Sequence, residues 1–312
     1  MLKRLLTSIV IVTLTVGFFA LRYVSPYIFD FYLGAITILA TFEVSRVFEK
    51  NQKKNDLYIV LAYPVLCYIA LILCISNKSN LLVYVAIMLA LLVVIFAASL
   101  LLNILQKNKI NKEMISVNYV GSYKKYSLKK SVLNLFIMFY PALILLQMFT
   151  LNHLSGFSNF SGIENKNIEV FLLIMAFITT MLTDTGAYII GSGIGGKKLC
   201  PKISPNKTII GAIGGVLVSI TFSVLLFLLF SAVGYVSIFE AYQLTLVHFI
   251  IYGLIVSIFT QIGDIVASYI KRENNIKDYG SLLPGHGGVM DRVDGLSFNI
   301  VVTLIISLFI FM

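Results

Sequence analysis

Nine long runs of apolar residues constrain this chain more than any other feature, because each can cross the hydrocarbon core of a bilayer as a helix. The runs lie near 5–21, 26–45, 57–76, 80–103, 131–151, 167–188, 209–235, 244–267 and 296–312. Of the 312 residues, 59% are hydrophobic and 12% are charged, whereas a soluble domain carries about 25% charge. The sequence therefore predicts an all-α, polytopic integral membrane protein with about nine transmembrane helices.

The positive charges are distributed unevenly between the loops. The N-terminal tail and every second loop together hold 21 of the 24 Lys and Arg residues, and the other loops hold 3. The positive-inside rule then predicts a cytoplasmic N-terminus and an external C-terminus. We interpret the net charge of +10 as a property of cytoplasmic loops, not of a nucleic-acid-binding surface. The longest basic loop, 104–130, is interpreted as a topology determinant near anionic lipid headgroups.

The chain is predicted to form a single membrane domain over 1–312. Within it we distinguish an N-terminal helical part, 1–151, and a catalytic part, 167–312, with loops at 189–208 and 268–295. Both loops are expected on the cytoplasmic side of the cell membrane. The three cysteines have no metal-ligand spacing and indicate no disulfide framework, and Cys67 and Cys74, inside apolar runs, are interpreted as small hydrophobic residues.

Carboxylates and basic residues are concentrated in or beside these two loops. The acids include Asp184, Asp264, Asp278, Asp291 and Asp294, and the bases are Lys197, Lys198, Lys202, Lys207, Lys271, Arg272, Lys277 and Arg292. Carboxylates hold the magnesium that accompanies a nucleoside triphosphate, and Lys and Arg bind phosphates. The pattern indicates metal-assisted phosphoryl or nucleotidyl transfer.

The first loop contains a glycine-rich stretch, GSGIGGKK, that comes close to a phosphate-binding P-loop. Lys198 stands where that motif needs Ser or Thr, and the stretch follows an apolar span and not a β-strand, so the P-loop interpretation fails. Ser204, Lys207 and Thr208 come just before the next helix, where hydroxyls and an ammonium group suit an anion. These three residues are predicted to contact a phosphate.

The second loop carries a longer pattern, SYIKRENNIKDYGSLLPGHGGVMDRVDG, from Ser268 to Gly295. It resembles the signature of the phosphatidate cytidylyltransferase (CDP-diacylglycerol synthase) family, S-x-x-K-R-x4-K-D-x-G-x2-L-P-G-H-G-G-x-x-D-R-x-D. The stretches QIGD ending at Asp264, DTGAY starting at Asp184 and SPNKT starting at Ser204 are also similar to this family. Asn206 and Ile210 depart from the usual SPKKTWEG, so no role is carried over to them.

The resemblance implies that the chain joins CTP to phosphatidate and releases pyrophosphate. It implies a Mg²⁺ site at Asp264, Asp291 and Asp294, which lie in the catalytic set with Lys277 and Asp278. The residues expected to bind substrate are Asp184, Ser204, Lys207, Thr208, Lys271, Arg272, His286, Gly287, Gly288 and Arg292. We favour phosphate binding over acid–base catalysis for His286, because phosphatidate is already largely ionised. A second, monovalent cation and a homodimer are further expectations from the resemblance.

Other functions remain open from the sequence. A CTP-dependent lipid kinase, or a CDP-lipid synthase with another lipid acceptor, would share the membrane architecture and the charged loops. A transporter would place its ionisable residues near the bilayer midplane, commonly within repeats. Here they gather at one face and no repeat is visible, which disfavours a transporter.

Overall fold

The computed structural model describes residues 2–50, 55–116, 121–160 and 167–311. Its α-helices are α1 (Leu2–Arg22), α2 (Pro26–Lys50), α3 (Leu57–Ser76), α4 (Leu81–Leu105), α5 (Lys107–Ser116), α6 (Tyr123–Ile137), α7 (Ile144–Asn152), α8 (Asn167–Ile194), α9 (Ile209–Phe230), α10 (Val236–Ala241), α11 (Leu246–Glu273) and α12 (Met290–Phe311). π-Helical turns, Met138–Leu143 and Ser231–Tyr235, follow α6 and α9. The prediction of an all-α polytopic membrane protein is confirmed.

Within the described ranges, eight helices are long and apolar enough to cross a membrane. They correspond to the second to ninth predicted spans, with α6, its π-turn and α7 forming one of them. The first predicted span, 5–21, falls in α1. The apolar part of α1, Leu6–Arg22, is shorter than the eight membrane-spanning helices.

Several helices continue beyond the apolar runs. α8 extends to Ile194 and α11 to Glu273, while α12 begins at Met290, so these helices continue into the predicted loops 189–208 and 268–295. A helix can continue past an apolar run because its backbone bonds need no apolar side chains, and Lys271 and Arg272 favour the negative end of α11. The predicted loop 104–130 likewise contains α5 and the start of α6.

The chain divides into two compact units. The first consists of Met1–Asn159 and Ile276–Asp291, and the second of Phe160–Asn275 and Arg292–Met312. In the first unit, α2 packs against α3, α6 and α7, and its core includes the fully buried side chains of Phe29, Leu33 and Tyr63.

A buried ion-pair network joins three parts of the first unit. The Lys130 ammonium lies 2.8 Å from Asp56 and 3.0 Å from Glu113, and the amides of Asn103 and Asn134 donate to Asp56 at 3.1 and 3.0 Å. Burial by itself would raise the pKa of Asp56, but the hydrogen bond and charge of Lys130, with the two amides, hold that pKa below its ordinary value.

The second unit is built on close contact between α8 and α9. A Cβ atom added to Gly211 would lie 2.6 Å from the Ala187 carbonyl oxygen and 3.0 Å from the Gly191 Cα. Only glycine permits this approach, which is a common way for membrane helices to pack. An aromatic cluster that includes Phe171, Phe239 and Phe249 fills the space among α8, α10 and α11.

Between α8 and α9 the chain forms a short antiparallel hairpin. Strand β1 (Lys198–Cys200) pairs with β2 (Ser204–Thr208), with Lys198 opposite Thr208 and Cys200 opposite Ser204. The sequence predicts a loop here, because the strands are short and no alternation of apolar residues marks them.

Candidate active site

Four charged side chains of the second unit form what we call the acid–base cluster: Asp184 on α8, Lys207 on β2, Asp264 on α11 and Asp294 on α12. The Lys207 Nζ lies 2.5 Å from the Asp264 Oδ2, and both side chains are partly exposed. Asp184 interacts electrostatically with Lys207 and Asp264, and Asp294 interacts with both aspartates. The structure thus brings together carboxylates predicted from separate stretches of sequence.

Two basic residues at the helix ends extend this electrostatic environment. The charge of Lys271, which is 9% exposed, acts on Asp294, and the charge of Arg292, which is exposed, acts on Asp184. The cluster therefore combines negative oxygen donors with several cations. This combination is what a site for phosphates and a divalent metal requires.

Hydrogen bonds on either side of Lys207 fix the position of the hairpin. The Thr208 hydroxyl accepts a hydrogen bond from the Gly211 amide at 3.0 Å and thereby caps the N-terminus of α9. The Arg272 Nε donates to the Ile203 carbonyl at 3.2 Å, which connects the hairpin turn to α11. With both ends of β2 fixed in this way, the side chain of Lys207 reaches Asp264.

A buried polar network sets the position of α12 against α8 and α11. The Asn299 amide donates to the Thr180 hydroxyl at 2.8 Å, and the Tyr252 and Thr303 hydroxyls lie 2.9 Å apart. Nearer the N-terminus of α12, a Cβ on Gly295 would lie 3.6 Å from the Asp184 Oδ2, so the backbone there runs close to this carboxylate. Such polar contacts fix helix rotation inside a membrane, where unpaired groups are costly.

The segment 278–290, which we call the signature segment, belongs to the first unit. The Asp291 Oδ2 accepts hydrogen bonds from the amides of Tyr279 at 2.8 Å and Gly288 at 2.9 Å. Inside the segment, Leu283 and Gly287 form a bridge with an N–H···O bond of 2.9 Å, and Gly287 has a φ of 83°, which favours glycine.

These hydrogen bonds bear on the predicted roles of the signature residues. The Gly288 N–H was expected to approach a phosphate, but here it is bound by Asp291. Lys277 directly precedes the segment and Asp278 is its first residue, and both side chains are exposed. The structure does not test any of these site assignments, so they remain predictions.

Three residues from the N-terminal half contact the signature segment, and our sequence interpretation missed all of them. The Glu43 Oε2 accepts a hydrogen bond from the Met290 amide at 2.9 Å. The Thr7 hydroxyl donates to the Pro284 carbonyl at 2.9 Å, and the Ser8 hydroxyl lies 3.1 Å from the His286 Nε2. An ionisable residue in an apolar run is a recognisable sign of a functional site, and Glu43 is such a residue. Nothing in the sequence distinguishes Thr7 and Ser8 in this way.

The predicted Mg²⁺ site depends on carboxylate oxygens as donor atoms. Among the described residues, no group of three or more His, Cys, Asp or Glu is arranged to hold a metal ion. The carboxylate oxygens of Asp264 and Asp294 nevertheless fit a hard divalent cation chemically, and Asp264 is already paired with the cation of Lys207. The participation of Asp291 and of a second, monovalent ion stays a prediction.

Comparison with known proteins connects these features to relatives. The family model described as the cytidylyltransferase family matches residues 2–310. A phosphatidate cytidylyltransferase of Staphylococcus saprophyticus is 39% identical over 135 residues, which cover 43% of this chain and 48% of the relative. The Bacillus subtilis protein of that name is 37% identical over 139 residues, covering 44% and 48%, and that of Brucella melitensis is 43% identical over 145 residues, covering 46% and 50%.

The chain spans about half the length of the curated relatives it matches. The family match, in contrast, runs from the first helix to the last. The signature motifs, the acid–base cluster and the membrane helices all lie inside the matched region. The chain belongs to the cytidylyltransferase family.

Proposed function

We propose that this protein transfers a cytidylyl group from CTP to phosphatidate, giving CDP-diacylglycerol and pyrophosphate. The observation that carries the proposal is the acid–base cluster, in which Lys207 lies 2.5 Å from Asp264 near the ends of membrane-spanning helices. Relatives named phosphatidate cytidylyltransferase support the choice of reaction. A membrane enzyme suits this chemistry because the acceptor lipid stays in the bilayer while CTP is dissolved in water.

The reaction requires two polyanions to meet. A phosphate oxygen of phosphatidate attacks the α-phosphorus of CTP, a new P–O bond forms, and the bond to pyrophosphate breaks. Lys207, Lys271 and Arg292 lower the electrostatic cost by binding phosphate oxygens, with the planar guanidinium of Arg292 suited to two oxygens at once. Asp264 and Asp294 would hold Mg²⁺, which supplies positive charge to the triphosphate.

The ion pair of Lys207 and Asp264 gives the cluster a defined resting arrangement. In this structure the ammonium and the carboxylate neutralise each other. An arriving phosphate competes with Asp264 for the Lys207 ammonium. When the ammonium leaves Asp264, a carboxylate oxygen of Asp264 becomes available. Phosphate binding at Lys207 and cation binding at Asp264 are then favoured together.

The proposal includes the location and the partners. We place the protein in the cell membrane with the acid–base cluster on the cytoplasmic side, because 21 of the 24 Lys and Arg residues fall in alternate loops. CTP reaches the cluster from the cytoplasm and phosphatidate from the bilayer. A homodimer is part of the proposal on family resemblance alone.

Labelled CTP tests the reaction directly. Purified protein in mixed micelles with phosphatidate and Mg²⁺ should transfer label from α-labelled CTP into the lipid phase, and none from γ-labelled CTP. Transfer of the γ-label would instead indicate a lipid kinase and contradict the proposal. Replacing phosphatidate by other lipids bearing a phosphate or hydroxyl group tests the acceptor, and faster transfer to one of them would reassign it.

A further inference from the structure

Glu43 is an acidic residue inside a membrane-spanning helix. It lies on α2 and is only 6% exposed, with apolar Val44 and Val47 buried on the same helix. Placing a carboxyl group there is costly unless hydrogen bonds compensate, and such residues generally serve a function. The motifs that indicated a cytidylyltransferase do not include Glu43.

The contacts of Glu43 are to the backbone of the signature segment and the start of α12. The Glu43 Oε2 accepts from the Met290 amide at 2.9 Å, and the neighbouring Val289 N–H interacts electrostatically with the same carboxyl group. Met290 is the first residue of α12, where N–H groups have no partner within the helix. A carboxyl group at this end also complements the helix dipole.

Two glycines of the signature pattern pack directly against Glu43. A Cβ atom on Gly280 would overlap the Glu43 side chain, which supplies all three of its nearest atoms, and a Cβ on Gly288 would overlap the Glu43 carboxyl group as well. Neither glycine has a positive φ. These positions therefore need glycine because a side chain from a distant helix occupies the space.

A second carboxyl group, that of Asp291, also binds backbone amides of the signature segment. The Asp291 Oδ2 accepts from the Tyr279 and Gly288 amides. Together, Glu43 and Asp291 bind backbone amides at both ends of the signature segment. The shape of the segment consequently depends on two acidic side chains, and only one of them belongs to the signature itself.

The two carboxyl oxygens of Glu43 differ in their hydrogen bonding. Among the described residues, none donates a hydrogen bond to the Glu43 Oε1, although that atom is buried. Leaving a buried acceptor unpaired costs about 1–3 kcal/mol. A glutamine could also accept from the Met290 amide, but it would bury an NH2 group whose two N–H donors need partners as well.

We infer that Glu43 is a positioning residue that sets the conformation of the signature segment, and with it the placement of Asp278 and His286, without touching either substrate. The catalytic part of this inference rests on the proposed cytidylyl transfer. Its structural part is independent of any activity. The three experiments below separate the two.

The first experiment compares steady-state kinetics of Glu43→Ala and Glu43→Gln with Glu49→Gln, a matched acid on the same helix. Loss of a charge-assisted hydrogen bond should lower kcat of Glu43→Ala about tenfold or more. The KM for CTP should change less than about threefold, because the residue does not bind substrate. Glu43→Gln keeps an acceptor oxygen and should lose less. Wild-type kcat in Glu43→Ala, or a loss confined to KM, would overturn the inference.

The second experiment measures hydrogen–deuterium exchange and needs no activity. Peptides covering 278–290 should exchange faster in Glu43→Ala than in wild type or Glu49→Gln, since the Met290 amide loses its acceptor. Peptides from α9 should exchange at the wild-type rate, which excludes general unfolding. Unchanged exchange over 278–290 would overturn the inference, whatever the kinetics show.

The third experiment is a double-mutant cycle. Gly280→Ala alone forces its methyl group against Glu43 and should accelerate exchange of the signature segment. In the Glu43→Ala background that space is free, so the same substitution should add little. Equal effects in both backgrounds would mean that Gly280 and Glu43 are not coupled. If wild-type protein showed no cytidylyl transfer, the proposed function would fail, while exchange and the cycle would still decide the role of Glu43.

Discussion

Asp264 is the residue on which the acid–base cluster depends most, because it interacts with Lys207, Asp184 and Asp294 together. Its Oδ1 also accepts a hydrogen bond from Ser268 at 3.3 Å, one helical turn further along α11. Both oxygens of the carboxylate are thus engaged. Replacing it changes the charge balance of the whole cluster.

Asp264→Asn and Asp294→Asn should each lower turnover with CTP and phosphatidate by about a hundredfold, while membrane insertion is unchanged. The reason is loss of a negative oxygen donor in a site that must pair cations with a triphosphate. Initial rates at matched protein levels check this, with Glu240→Gln as the control, because Glu240 on α10 is exposed. If both variants retained wild-type turnover, the cluster would not be the active site.

Asp56 provides a test of pH dependence away from that cluster. Its pKa in the folded protein is held below the ordinary value, so its ion pair contributes fully to stability above about pH 4. The contribution is lost as the pH falls through the folded-state pKa. Breaking a buried pair costs about 3 kcal/mol or more. In detergent, Asp56→Asn should therefore melt at a lower temperature at neutral pH, and the difference from wild type should shrink with acidification. A constant difference would contradict this assignment.

At the scale of elements, the contact between α8 and α9 allows a comparison of two glycines. A Cβ on Gly211 would meet the Ala187 carbonyl at 2.6 Å, whereas a Cβ on Gly193 has nothing within 4 Å. Gly211→Ala should destabilise the protein by about 1–3 kcal/mol through overpacking. Gly193→Ala is the matched control and should melt at or above the wild-type temperature. Similar melting temperatures for the two variants would contradict the close packing described here.

The sequence predicted the membrane helices because apolar length is a direct requirement of the bilayer. It could not predict where α11 ends or α12 begins, since Lys271, Arg272 and Asp291 are helical although their charges interrupt the apolar pattern. The hairpin was missed because Lys198–Cys200 and Ser204–Thr208 lack any periodic pattern. Helix boundaries and short strands depend on tertiary contacts that local sequence does not encode.

The candidate site was predicted unevenly for a related reason. Asp184 and Asp264 are charged residues in apolar spans, and that signal requires no knowledge of the fold. Asp294 was indicated by the signature pattern instead. Glu43 carried the same signal but lies about 250 residues from its partner Met290 along the chain, so nothing local linked them. Thr7 and Ser8 are ordinary helix residues, and only the folded chain shows that they contact the signature segment.

At the scale of the whole molecule, the distribution of positive charge predicts its orientation. Single cysteines at Lys125 and Lys198, in a chain without native cysteines, should resist an impermeant maleimide in intact cells and react after permeabilisation. A cysteine at Lys78, in the turn between α3 and α4, should react in intact cells. Reaction at 125 and 198 with none at 78 would reverse the orientation and place the acid–base cluster where CTP is absent.

The small hairpin limits where this protein can change in length during evolution. Its turn, Pro201–Ile203, lies before β2 and can accommodate inserted residues with little effect on the pairing. An insertion inside Ser204–Thr208 is different, because side chains alternate between the faces of a strand and a shift of one residue reverses them. An insertion before Lys207 would then change its register with β1 and turn it away from Asp264. Homologues should therefore vary in the number of residues before Ser204 and be constant from Ser204 to Thr208.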